Sequence, residues 1–159
     1  PQMGKPFANI CAESGVKGVI IFPQSGPATE ENFINSIKEE DLIPIVGGKM
    51  THPKYLERDG RFIRDEAPND IYKIAAKKGV DYFVVPGNKP DIMKKYSSLL
   101  SSQVDEPKFC LPGIGRQGGD IKSAFDSLNK FPAYAIIGTS IYGEKDMKTA
   151  ARKICNEFL

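Results

Sequence analysis

The chain has 159 residues, 40% of them hydrophobic, enough for one domain with a real core and too few for two ordinary ones. Its 22 basic and 20 acidic side chains leave a formal charge of +2 with no run of like charge, which excludes an electrostatic footprint for nucleic acid or a membrane surface. The longest wholly apolar runs, such as Val19 to Phe22, stop at four or five residues, whereas a bilayer span needs roughly 20.

Three cysteines, Cys11, Cys110 and Cys155, lie far apart without a C-x-x-C pair, which predicts free or buried thiols in a reducing compartment rather than disulfides or zinc. No signal peptide is visible. A cytoplasmic protein with small-molecule partners is expected. The first residue is Pro1 rather than methionine, which fits a processed product or a fragment of a longer chain.

In chain order, Pro6 to Ser14 reads as a helix and Gly18 to Phe22 as a strand. Thr29 is placed to cap a helix with Phe33, Ile34 and Ile37 on one face, and Ile43 to Val46 forms the next strand. Pro68 suits a first helical turn, Ile71, Ile74 and Ala75 form its stripe, and Gly79 is placed to end it in a left-handed conformation. After a strand over Tyr82 to Val85, Asn88 and Pro90 start a helix that buries Ile92, Met93, Tyr96 and Leu99. Lys108 to Leu111 is a strand, a helix follows Gly119, Tyr134 to Ile137 is the last strand, and a helix from about Asp146 turns Ala150, Ile154 and Phe158 inward.

Five short apolar runs, each followed by a loop and a helical pattern, describe a βα repeat within a single domain over 1-159 with no internal boundary. Alternation of this kind forms either an open doubly wound sheet of the flavodoxin type or a closed (β/α)8 barrel. An open sheet of that type carries its phosphate loop after the first strand. Here the glycine-rich loops follow the last two strands, the place of the barrel's phosphate site.

Those loops hold the candidate chemistry. Pro112-Gly113-Ile114-Gly115-Arg116-Gln117-Gly118-Gly119-Asp120 joins a strand to a helix, so its glycines let backbone approach a ligand and its free N–H groups form an anion cradle. Gly138-Thr139-Ser140-Ile141-Tyr142 ends the next strand and is expected beside it. The sole histidine, His52, has no Ser, Cys or Asp spacing to recruit it and is expected to be structural. Lys49 and Lys89 stand at strand ends, where a catalytic lysine can lie; the polarity of their loops predicts solvated side chains instead.

The Pro112 to Asp120 segment, followed about twenty residues later by Ile-Ile-Gly-Thr-Ser-Ile-Tyr, resembles the last two loops of the orotidine 5′-phosphate decarboxylases of the compact type. Gly48-Lys49-Met50-Thr51-His52-Pro53 is similar to that family's loop after strand five, and the spacing of all five strands agrees along the whole chain. The resemblance implies a (β/α)8 TIM barrel to which this chain supplies about five βα units, strands 4 to 8. It implies decarboxylation of orotidine 5′-phosphate to uridine 5′-phosphate (UMP) in pyrimidine biosynthesis, with no metal or organic cofactor, in a homodimer with sites at the interface.

By the same resemblance, Thr51 hydrogen-bonds the base, although a turn hydroxyl satisfying nearby backbone is the plainer reading of a lone Thr. Pro112 and Ile114 line the pyrimidine and the pocket edge. Gln117 bridges phosphate and base, and the N–H groups near Gly118, Gly119, Gly138 and Thr139 hold phosphate. The substrate-binding set therefore comprises Thr51, Pro112, Gly113, Ile114, Gly115, Arg116, Gln117, Gly118, Gly119, Asp120, Gly138 and Thr139. Where the family usually has an arginine, this chain has Thr139, and Arg116 is expected to take over that charge-assisted contact. Pro1 aligns with the end of the family's Asp-x-Lys-x-x-Asp-Ile-Pro motif, so the catalytic lysine and aspartates are expected just upstream of it. Met3 replaces a threonine that reaches the neighbouring subunit's site.

Two other readings share these features. A sugar-phosphate decarboxylase or aldolase-like synthase of the same superfamily would need a magnesium site, and a non-catalytic nucleotide-binding homologue would tolerate the missing motif.

Overall fold

The computed structural model describes residues 2–60, 62–115, 120–128 and 131–158, with no side chains described at positions 157 and 158, so the expected inward turn of Phe158 lies outside it. Five strands, β1 (Gly18–Ile21), β2 (Ile43–Gly47), β3 (Tyr82–Val84), β4 (Lys108–Pro112) and β5 (Ala133–Ile136), form one parallel sheet in the order β1-β2-β3-β4-β5. Each strand pairs with its successor in the chain, with no reversal of order. A doubly wound sheet must reverse at a switch point. Sequential order is what a barrel wall requires, and the open-sheet alternative falls.

Helices α1 (Gly4–Glu13), α2 (Pro27–Glu39), α3 (Ala67–Lys77), α4 (Pro90–Ser101), α5 (Ile121–Asp126), α6 (Thr139–Tyr142) and α7 (Met147–Phe158) complete the described elements, with a short 3₁₀ turn at Glu57–Asp59. No helix among the described residues is long and apolar enough to cross a membrane.

Strand periodicity divides the sheet into two faces. Ile21, Val46, Phe83, Phe109 and Ala133 are register partners in one row and point at the helices, with Val46, Phe83 and Phe109 wholly buried. Against them pack Ile34 and Ile37 from α2, Ile71, Tyr72 and Ala75 from α3, and Met93, Tyr96 and Leu100 from α4. The other face carries Ile20, Ile45 and Tyr82 in one row and Gly47, Val84, Cys110 and Tyr134 in the next. Here burial is uneven. Val84 and Cys110 in the middle are buried, whereas Ile20, Ile43, Tyr134 and Ile136, on or beside the edge strands, keep 39 to 47% of their surface.

The sequence reading placed each strand end within one residue of the observed one, but three helix starts differ. Helix α1 begins at Gly4, two residues before the expected Pro6. Gly26, not Thr29, precedes the first turn of α2, because Pro27 supplies the fixed φ of a first helical position. Lys89 rather than Asn88 occupies the cap of α4, directly before Pro90. The expected ends hold elsewhere: Gly79 follows α3 with φ +67°, and its carbonyl and that of Lys78 accept from Lys38 Nζ at 2.6 Å. The segment after Gly138, read as a turn, closes into the single helical turn of α6.

Candidate functional site

The loops at the carboxyl ends of β2, β3, β4 and β5 converge. After β2, Gly48 offers its carbonyl to the Tyr55 hydroxyl at 3.0 Å, and Gln24 Nε2, from the loop after β1, donates to that hydroxyl at 3.2 Å. Tyr72 ties the base of this loop to the sheet. Its hydroxyl donates to Val84 O at 2.7 Å and accepts from Lys49 N at 3.2 Å, and its ring lies 4.7 Å from that of Tyr96. Burial pushes the Tyr72 phenol far above its usual range, so it serves only as a neutral hydrogen-bonding group.

Lys49 departs from the sequence expectation. It is 7% exposed rather than solvated, with its ammonium 5.0 Å from the centre of the Tyr55 ring. Burial, and then the neighbouring Lys89 ammonium, lower its pKa below the ordinary lysine value. Lys89 Nζ in turn reaches Met50 O at 3.4 Å and so braces the loop that carries Thr51. His52 packs its ring edge-on to Tyr55 at 5.7 Å, and its Nδ1 lies 2.9 Å from the Pro53 carbonyl. These contacts are local and structural.

The loop after β4 meets the others at its glycines. A Cβ on Gly113 would stand 2.9 Å from Thr51 Cγ2 and 3.1 Å from Asn88 Cγ, and Gly113 adopts φ +90°. Gly87 N donates to Pro112 O at 2.8 Å, and Ile114, 6% exposed, packs on Gly87 as part of the core. A Cβ on Gly115 would lie 2.9 Å from Ser140 Oγ, which joins the β4 and β5 loops. Thr139 Oγ1 is 3.2 Å from Tyr142 OH.

Of the sequence-derived set, Thr51 and Gly113 are therefore in contact, Pro112 and Ile114 flank them, and Gly115 abuts the segment holding Gly138 and Thr139. Arg116, Gln117, Gly118 and Gly119 lie outside the described residues. Asp120 caps α5, its Oδ2 accepting from Ser123 N at 2.7 Å, so that carboxylate is committed to the helix start. Gln24, Tyr55 and the burial of Lys49 were not foreseen, since the pairs that create them are distant in sequence.

A different cleft, of about 740 Å³, opens on the helix side between α5, β5 and α7, lined by apolar groups such as Phe125, Ile137 and Ile154. Its acidic residues already have partners, Asp120 in the cap and Asp126 with Lys122 Nζ at 2.9 Å. Volume alone does not make it the site.

The chain is 31% identical over 161 residues to the orotidine 5′-phosphate decarboxylase of Pyrococcus abyssi, covering 99% of this chain and 68% of that protein. It belongs to the orotidine 5′-phosphate decarboxylase family. The enzyme of that name from Methanococcoides burtonii is 29% identical over 144 residues, 91% of this chain and 62% of its own length. The chain thus spans about three fifths to two thirds of the length of these two relatives. No family model matches it. Among solved structures, orotidine 5′-monophosphate decarboxylase from Methanocaldococcus jannaschii, complexed with the inhibitor BMP, superposes with a TM-score of 0.80 at 23% identity, over 98% of this chain and 67% of the other. The five βα units described above are accordingly part of a (β/α)8 barrel.

Proposed function

We propose that this chain forms the nucleotide-binding part of a barrel that decarboxylates orotidine 5′-phosphate to uridine 5′-phosphate in pyrimidine biosynthesis. The observation that carries the reading is the meeting of the β2 and β4 loops at Thr51 and Gly113, in a chain of this family. Thr51 hydrogen-bonds the pyrimidine, and Pro112 and Ile114 shape its pocket. Gln117 spans base and phosphate, while the N–H groups of Gly118, Gly119, Gly138 and Thr139 hold the phosphate, with Arg116 providing the cation that Thr139 cannot.

The groups that act on the substrate carboxylate, a lysine with flanking aspartates, belong to the other strands of the barrel. The exposed Ile20, Ile43, Tyr134 and Ile136 support this division, because an apolar sheet face open to solvent needs covering. Phosphate gripped at a distance from the reacting carbon contributes binding energy that organises the site for the transition state. We further propose a cytoplasmic homodimer with its sites at the subunit interface.

Turnover of orotidine 5′-phosphate by the protein with its barrel complete tests this reading. Loss of one hydrogen bond to the base in Thr51→Ala is expected to lower kcat/KM by about tenfold to a hundredfold. Undiminished turnover in that variant would remove Thr51 from the site, and absence of turnover in the unaltered protein would remove the activity.

A further inference from the structure

The end of β2 holds a packing relationship that the loops alone do not explain. Gly47 pairs with Val84, which pairs with Cys110, on the face turned away from the helices. A Cβ at Gly47 would lie 2.6 Å from Phe22 Cζ and 2.7 Å from Phe22 Cδ1, so the Phe22 ring fills the space of the missing side chain. Phe22 directly follows Ile21, which points to the helices and is buried, so Phe22 turns to the opposite, inward face. The ring is only half-buried, and it sits at the carboxyl end of the sheet beside the strand whose loop carries Thr51.

The arrangement across the strand ends is graded in chemistry. An aromatic ring lies over β2, a hydroxyl follows in the β2 loop, and the glycine-rich loops stand two and three strands away after β4 and β5. At a strand spacing of about 4.8 Å, that separation is on the order of 10 Å. A nucleoside monophosphate has the same order, a planar ring at one end and a dianion at the other.

We propose that Phe22, seated on Gly47, is the aromatic wall against which the planar base packs, which makes the Phe22–Gly47 pair a determinant of base affinity. This inference rests on the nucleotide-site reading above. The absence of a side chain at 47 leaves room for the ring against the strand, and the ring offers an apolar π surface that a pyrimidine can stack on or abut.

Calorimetric titration of the purified protein with UMP and with ribose 5-phosphate separates the base from the rest of the ligand. Phe22→Leu keeps most of the volume but not the planar face. It is expected to weaken UMP about fivefold to tenfold while leaving ribose 5-phosphate within about twofold. Phe22→Tyr is expected to bind UMP like the unaltered protein, and Gly47→Ala, which displaces the ring, to behave like Phe22→Leu. Retained ribose 5-phosphate binding reports that each variant is folded. Equal losses for both ligands, or no loss for UMP, would overturn the proposal and leave the nucleotide site standing. If the unaltered protein bound neither ligand, the site itself would fall, and the role of Phe22 with it.

Discussion

Gly113 and Thr51 meet with no room for a side chain between them: a Cβ on the glycine would stand 2.9 Å from Thr51 Cγ2. The contact joins loops that leave the sheet two strands apart, and the φ of +90° at Gly113 is one that L residues rarely adopt.

Gly113→Ala is therefore expected to act twice. Strain and overlap should cost about 1 to 3 kcal/mol of stability, measured by urea unfolding, and displacement of Thr51 should weaken UMP binding. A variant as stable as the parent with unchanged UMP affinity would show that the two loops do not depend on this contact.

Glu30, in the first turn of α2, is 1% exposed and its Oε1 has no hydrogen-bond partner among the described residues. Burial, reinforced by Glu31, raises its pKa from the ordinary 4.5 to about 8. The folded state thus holds a proton that the unfolded state releases. Stability from this group is fully present below pH 4.5 and is lost as pH rises towards 8, on the order of 5 kcal/mol over the window. Glu30→Gln should abolish that slope, leaving the variant more stable than the parent at pH 8 and comparable near pH 4.5. Parallel stability profiles of the two proteins between those limits would show that the carboxyl titrates normally.

Tyr72→Phe should cost about 1 to 3 kcal/mol, because the hydroxyl serves both Val84 O and Lys49 N in a dry setting and its loss strands both. Thermal unfolding of the variant measures this. An unchanged midpoint would mean that water replaces the hydroxyl at no cost.

Lys49 is buried with no carboxylate of the described residues within salt-bridge distance of its ammonium. Its lowered pKa means that the unfolded chain binds the proton more tightly, so the charge costs stability at neutral pH, and the cost fades as pH approaches the ordinary 10.5. Lys49→Met is expected to stabilise the protein at pH 7, with the gain narrowing at alkaline pH. Destabilisation at pH 7 would show that the ring of Tyr55 more than offsets the desolvation.

The strands and most helices were legible in the residues themselves. Runs such as Ile43 to Val46 are apolar and bounded by turn formers, and Gly79 and Pro68 mark helix ends through local backbone chemistry. Thr29 misled because a hydroxyl is a good cap, but Pro27 upstream starts the helix earlier. The fate of Lys49 could not be read locally, since Tyr55, Tyr72 and Lys89 reach it through the fold. The same holds for Phe22 and Gly47, one just past the end of β1 and the other at the end of the adjacent β2. At the site, Thr51 and the glycines stood out through the family pattern, while the meeting of Thr51 with Gly113 depends on loops brought together by strand order.

UMP titrated into isotope-labelled protein, with every backbone amide followed by NMR, tests the nucleotide site most directly. Saturable shifts should gather at Thr51, Gly113, Gly115, Gly138 and Thr139, the ends of β2, β4 and β5. No saturable shift, or shifts confined to the helix-side cleft around Phe125 and Ile154, would contradict a nucleotide site at the strand ends.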